Sequence, residues 1–102
     1  PDEASHEGRH EAKIEALEQI DRHIVGPLAE SLAARGEHRI LVTPDHPTFC
    51  STKKHTHGMV PLAMAGSGIR PDAQSAYDEV SAASSETCFD QGWDLMDAFI
   101  RR

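Results

Sequence analysis

The 102-residue sequence is poor in aromatic residues and contains no long apolar run. Aromatics make up 5% of the chain and all hydrophobic residues 38%, which predicts one compact unit over residues 1–102 with a modest core. No segment approaches the ~20 consecutive apolar residues of a transmembrane helix, and no signal-peptide pattern is visible. We therefore expect no membrane partner.

Basic charge and cysteine are also scarce. Ten Lys and Arg residues stand against 17 Asp and Glu, for a net charge of -7, which argues against nucleic acid or an anionic membrane as a partner. The two cysteines, Cys50 and Cys88, form no Cys-x-x-Cys pattern. Their spacing favours a reduced, cytoplasmic setting.

Seven histidines are present, an unusual number at this length, and they suggest metal or proton chemistry. Residues 2–8 are polar and turn-like. Between residues 11 and 34 apolar side chains recur every three or four positions, which predicts an amphipathic helix packed on one side. Gly26-Pro27 interrupts the pattern without changing its phase, so we expect one kinked helix.

The remaining elements predict an α/β fold. Residues 39–43 form a short apolar run typical of a buried parallel strand, followed by a long irregular loop over 44–59. A second strand is expected at 60–65, starting late or lying at an edge because of Pro61. A short helix is expected near 77–83, and another helix near 90–101. The order helix–strand–loop–strand–helix fits part of a layered α/β fold.

Asp45-His46 follows the first strand and is flanked by Pro44 and Pro47. The carboxyl ends of strands are where open α/β sheets place their ligands. Carboxylate and imidazole together suit Mn²⁺, Zn²⁺ or Fe²⁺, whereas Mg²⁺ prefers an all-oxygen shell. An ordinary exposed turn explains the hexapeptide Thr43-Pro44-Asp45-His46-Pro47-Thr48 equally well.

Two further pairs carry metal-ligand side chains. Asp2 and His6 are four residues apart, the spacing of one helical turn, although a solvated terminus explains that pair as well. His55 and His57 lie in the long loop, where the preceding Lys53 and Lys54 suit an anionic substrate such as a phosphate ester. The alternative is a flexible, solvated loop.

Taken together, these segments resemble the cofactor-independent phosphoglycerate mutases, in particular the archaeal-type branch of the alkaline phosphatase superfamily. The resemblance covers essentially the whole chain, and its motifs occur in the order of that family. They are Pro-Asp-Glu-Ala-Ser-His-Glu-Gly at 1–8, Ile-Leu-Val-Thr-Pro-Asp-His-Pro-Thr at 40–48, Lys-His-Thr at 54–56 and Gly-Trp-Asp-Leu-Met at 92–96.

The resemblance implies the C-terminal part of an alkaline-phosphatase-like fold with two divalent metal ions, Mn²⁺ or Zn²⁺ with Mg²⁺ as an alternative. Asp2, His6 and His55 are implied as ligands of one ion, and Asp45 and His46 as two ligands of the other. A further aspartate and a nucleophilic serine are expected from an N-terminal part outside this chain, so no catalytic residue is expected here. The implied reaction interconverts 3- and 2-phosphoglycerate through a phosphoserine.

Other interpretations stay open at this point. Related branches of the superfamily include homoserine-kinase-like enzymes and other phosphomutases, and an isolated piece could act only as a metal-binding module. Because the sequence opens on Pro1 without an initiator Met, we expect a fragment of a longer protein, inactive alone and prone to self-association through open strand edges. His57 falls at a position that the family does not use for metal.

Overall fold

The computed structural model describes residues 1–101, which group into two compact units. Unit 1 comprises Pro1–Gly36 and Asp45–Met59, and unit 2 comprises Glu37–Pro44 and the residues from Val60 onward. Helices and short strands occur in the chain as the α/β prediction requires.

Unit 1 contains an almost continuous helical rod. It runs through α2 (His10–Ile20), a π-helical turn (Asp21–Val25) and α3 (Gly26–Ala33), which confirms the predicted interrupted helix. The N–H of Gly26 donates to the carbonyl of Asp21, the wide spacing of a π-turn. Pro27 follows directly, and the widened turn relieves the clash that its ring would make with a regular helical backbone.

The N-terminal segment and the long loop are more ordered than the sequence predicts. Asp2–His6 forms the short helix α1, where a turn was expected, and residues 48–55 form an antiparallel hairpin. Strand β2 (Thr48–Phe49) pairs with β3 (Lys54–His55), in the register Thr48 to His55. The hairpin turn ends at Lys53, a non-glycine residue with a left-handed φ of 57°.

Two contacts fasten the helices of unit 1 to this hairpin. Lys13 of α2 donates from its ammonium group to the carbonyl of Thr48 at 2.8 Å. Gly8 adopts a φ of 72°, and a Cβ there would lie 2.8 Å from the side chain of Lys53 and 3.2 Å from the carbonyl of Cys50. Glycine thus allows the chain after α1 to approach the hairpin turn closely.

Unit 2 is built on one strand pair. Strand β1 (Arg39–Val42) runs antiparallel to β4 (Ala63–Gly66), so the expectation of a parallel strand is wrong among the described residues. The late start of β4, after Pro61, agrees with the missing N–H of that proline. The unit also contains α4 (Glu79–Ala83) and α5 (Gly92–Arg101).

Arg39 connects the strand pair of unit 2 to α5. Its guanidinium donates to the carbonyl of Ser67 at 2.7 Å and to that of Phe99 at 2.8 Å. Charge-assisted hydrogen bonds to carbonyls near a helix C-terminus also complement the helix dipole. A single basic side chain therefore fixes the end of α5 against the strand pair.

Burial is slight among the described residues. The buried side chains are small or polar: Ser5, Thr48, Cys50 and Ala98. The expected packing of the helix stripe is wrong within residues 1–101, because Ile14 and Ile24 remain 58% and 60% exposed. No helix in the described part of the chain is both long and apolar enough to cross a membrane.

Candidate metal centre

The structure brings all five predicted ligands to one region of unit 1. They come from three segments that are distant in sequence: α1, the turn before β2, and strand β3. The hairpin brings His55 next to the residues before β2, because Thr48 pairs with His55. Helix α1 contacts the same hairpin through hydrogen bonds of Asp2 and His6. The five side chains are Asp2, His6, Asp45, His46 and His55.

Asp2, His6 and His55 form a compact triangle of side chains, in which each histidine faces a different carboxylate oxygen of Asp2. Nε2 of His6 lies 3.4 Å from Oδ2 of Asp2 and 3.1 Å from Nε2 of His55. Nε2 of His55 lies 3.3 Å from Oδ1 of Asp2. The helical i, i+4 spacing of α1 puts its two ligands on one face, as the sequence predicts.

The triangle fits the donor set of a transition metal. Tetrahedral zinc has ligand distances of ~2.0–2.2 Å, which corresponds to ~3.3–3.6 Å between neighbouring ligand atoms, close to the observed separations. One carboxylate with two imidazoles is also a combination that Zn²⁺ and Mn²⁺ accept. The residues present therefore suit a divalent metal ion.

A backbone carbonyl orients His6. Its Nδ1 lies 2.8 Å from the carbonyl oxygen of Lys53, which can only accept a hydrogen bond. Neutral His6 must then carry its proton on Nδ1, which leaves the lone pair of Nε2 directed at Asp2 and His55. Metal-binding histidines commonly donate their other ring N–H to a carbonyl in this way, which fixes the tautomer and the orientation of the ring.

Asp45 and His46 lie beside the triangle. Nε2 of His46 is 3.4 Å from Oδ2 of Asp45. The rings of His46 and His55 are in contact, with centroids 3.8 Å apart and planes tilted by 37°. Ligand atoms of Asp2, His46 and His55 also lie within 4.8 Å of one another. Asp2 and His55 thus face both groups, and the division of the five residues between two ions stays a prediction.

Thr48 and the carbonyl of Lys53 were missed by the sequence analysis. The buried hydroxyl of Thr48 donates to Oδ1 of Asp2 at 2.9 Å. This hydrogen bond, together with the imidazoles of His6, His55 and His46, holds the pKa of Asp2 below its ordinary value, against an opposing effect of desolvation. Neither residue type is a recognisable metal ligand, so no pattern in the sequence marks them.

Other candidates lie outside this cluster. His57 is exposed, and its exclusion from the metal site stays a prediction. Lys53 and Lys54 are exposed in the hairpin, as the predicted attraction of an anionic substrate requires. Cys50, in the turn of the same hairpin, is a buried free thiol.

The family model described as the metalloenzyme superfamily matches residues 1–90. Curated relatives include 2,3-bisphosphoglycerate-independent phosphoglycerate mutases from Methanothrix thermoacetophila, 43% identical over 94% of this chain, and Methanosarcina acetivorans, 37% identical over 99%. A protein named 2,3-bisphosphoglycerate-independent phosphoglycerate mutase 2, from Methanothermobacter thermautotrophicus, is 47% identical over 78%. The chain spans 25%, 26% and 19% of these relatives, respectively. No solved structure matches the chain.

Proposed function

The chain belongs to the metalloenzyme superfamily, and on that premise we propose that it forms the C-terminal metal-binding part of a 2,3-bisphosphoglycerate-independent phosphoglycerate mutase. The observation that carries the proposal is the convergence of the five predicted ligands from three segments. The chain spans about a quarter of its relatives, so the activity is that of a longer protein. We place residues 1–102 within one metalloenzyme domain of that protein.

Within this proposal, Asp2, His6 and His55 hold one divalent ion. Asp45 and His46 offer two ligands to a second ion, whose site is completed by an aspartate and a serine outside this chain. The mixed oxygen and nitrogen donors favour Mn²⁺ or Zn²⁺, with Mg²⁺ as the alternative.

When bound, two such ions supply positive charge that neutralises a phosphoryl group and lowers the pKa of an attacking hydroxyl. The protein's own part is to hold the ligands in place: the carbonyl of Lys53 orients His6, and the turn at residues 44–47 presents Asp45 and His46. The exposed Lys53 and Lys54 add positive charge that attracts an anionic substrate. The serine nucleophile and the substrate-binding part belong to the longer protein, so the 102 residues alone are expected to be inactive.

The common name of the relatives above favours a mutase over a homoserine-kinase-like phosphotransferase. A metal-binding module without catalysis is the alternative from another class. A cytoplasmic location stays a prediction from the two free thiols, and self-association of the isolated chain stays a prediction as well.

The test is an assay of the full gene product for conversion of 3- to 2-phosphoglycerate without bisphosphoglycerate. We expect turnover with Mn²⁺ or Zn²⁺ and none with a chelator. His55→Ala should abolish activity, whereas His57→Ala, two residues away and outside the ligand cluster, should retain it. Turnover that survives both the chelator and His55→Ala would exclude the proposed site; transfer of phosphate to homoserine would support the related branch.

Metal binding is measured separately on the 102-residue chain by calorimetric titration with Mn²⁺ and Zn²⁺. We expect one tight ion, bound through Asp2, His6 and His55. Loss of a direct ligand in His55→Ala should weaken binding by more than the ~10–100-fold typical of replacing a residue that only hydrogen-bonds to a ligand. Equal affinities for wild type and His55→Ala would discard this set of ligands.

A further inference from the structure

One buried hydroxyl lies between the two groups of ligands. Thr48 begins strand β2, is 7% exposed, and has its Oγ1 atom 2.9 Å from Oδ1 of Asp2 and 3.3 Å from Nδ1 of His46. Asp2 belongs to the first proposed ligand group and His46 to the second. The hydroxyl therefore touches a member of each.

The direction of both hydrogen bonds follows from the chemistry of the partners. The ionised carboxylate of Asp2 can only accept, so the single proton of Thr48 points towards it. The oxygen of Thr48 then has only lone pairs to offer Nδ1 of His46. The carbonyl of Pro47, 3.4 Å from the same nitrogen, is also an acceptor only. Two acceptors beside Nδ1 favour the tautomer that carries the proton there. Nε2 of His46 then has no proton, and it lies 3.4 Å from Oδ2 of Asp45, the other proposed ligand of its group.

We propose that Thr48 is a positioning residue that couples the two ligand groups, by fixing the Asp2 carboxylate and the tautomer of His46 through one hydroxyl. The inference rests on the proposed metal centre, since it assigns a role to Thr48 within it. Hydrogen bonds of this kind orient metal-binding side chains, and they reduce the entropy that the side chains lose when the metal binds.

Substitution of Thr48 tests the orientation of a ligand more directly than substitution of Lys53, whose backbone carbonyl contacts His6. His6 is oriented by the backbone of Lys53, which no substitution removes, whereas the support of His46 includes a side chain. Thr48→Val removes the hydroxyl at nearly constant volume, and Thr48→Ser restores it without the methyl group. Thr52→Val, in the exposed hairpin turn, is the matched control.

The first measurement is calorimetric titration of the full gene product with Mn²⁺ and with Zn²⁺. We expect Thr48→Val to weaken binding ~10–100-fold, with Thr48→Ser and Thr52→Val within about threefold of wild type. If valine prevents folding, Thr48→Ala replaces it, because alanine lacks the hydroxyl and fits the same space. Equal affinity for the folded hydroxyl-free variant and wild type would overturn the role of Thr48 while leaving the metal centre intact.

The second measurement needs no metal. Nitrogen NMR of histidine-labelled, metal-free protein at about pH 8.5, where imidazoles are largely neutral, reports the tautomer of each ring. Thr48→Val should lower the Nδ1–H fraction of His46 and leave His6 unchanged, and Thr48→Ser should restore it. An unchanged His46 signal would refute the coupling. Absence of metal binding by the wild type would instead overturn the proposed function, and the role of Thr48 with it.

Discussion

The ligand cluster of unit 1 and the terminal helix of unit 2 differ in what completes them. In the cluster, contacts within the unit orient His6 and Asp2, and Thr48 is buried against them. On α5, Trp93 and Ile100 are 76% and 69% exposed, and none of the described residues covers them. Short hydrogen bonds can build a polar site locally, whereas an apolar face is complete only when a second surface covers it.

The largest expected effect concerns the strand pair of unit 2. Gly66 has a φ of 121°, and a Cβ there would lie 2.8 Å from Cα of Arg39 and closer still to the carbonyl of His38. Gly66→Ala should therefore destabilise the protein by about 3 kcal/mol or more, from backbone strain and a backbone clash together. Thermal and urea unfolding measure the change.

Gly36→Ala is the control for this prediction. Gly36 also has a positive φ, 114°, but an added Cβ would meet nothing within 4 Å, so only the strain of about 1–2 kcal/mol should appear. Equal losses for the two variants would show that the close backbone approach at Gly66 is unimportant.

A smaller effect is expected at the exposed face of α5. Trp93, Met96 and Ile100 follow helical spacing and are all more than half exposed. If this face drives self-association, the double variant Trp93→Glu and Ile100→Glu should raise the dissociation constant about tenfold or more, since exposed aromatic anchors dominate such contacts. Sedimentation velocity over a concentration series measures it.

Val80→Glu serves as the comparison variant, because Val80 is 80% exposed on α4 and lies outside this face. It should leave association unchanged. A monomeric wild type at all concentrations would reject self-association, and an equal effect of Val80→Glu would reject the α5 face as its cause.

The smallest effect concerns acid stability. The N–H of Ser81 donates to Asp78 at the N-terminus of α4 and holds the pKa of Asp78 below its ordinary value. The contribution of this carboxylate to stability is complete above the unfolded-state pKa and is lost as the pH falls through the lower folded-state pKa. Asp78→Ser keeps a capping oxygen that does not titrate. The stability advantage of wild type over Asp78→Ser should shrink as the pH falls below about 4.

Circular dichroism during urea unfolding, at neutral and at acidic pH, measures the difference in unfolding free energy between wild type and Asp78→Ser. Because Asp78 is exposed, solvent screening keeps the change small. A difference that is constant across this pH range would mean that the cap does not depend on the charge.

The sequence predicted the long helix well, because its apolar spacing and Gly26-Pro27 are both local signals. The hairpin was missed because each of its strands has only two residues, too few for an alternating pattern. Apolar residues at 40–42 do not reveal strand direction, so the antiparallel partner of β1 was not predictable from them.

The five predicted ligands could be selected by residue type and by resemblance, since carboxylates and imidazoles stand out in a sequence, and the structure places them in one unit. The groups that orient these side chains were not predictable from the sequence. The role of Thr48 depends on where a hydroxyl points after folding, and threonine is too common to signal it. The exposure of Ile14 and Ile24 was equally unpredictable, because periodicity shows that a face is apolar without showing what covers it.

The left-handed turn at Lys53 has a consequence for how this protein can change in evolution. Every amino acid has a carbonyl, so the bond that orients His6 survives replacement of the lysine side chain. What position 53 must preserve is a φ near 57°, which glycine, asparagine and aspartate adopt more readily than lysine. Relatives with different residues there can keep the same hydrogen bond to His6, and a comparison of side chains alone would classify this position as variable.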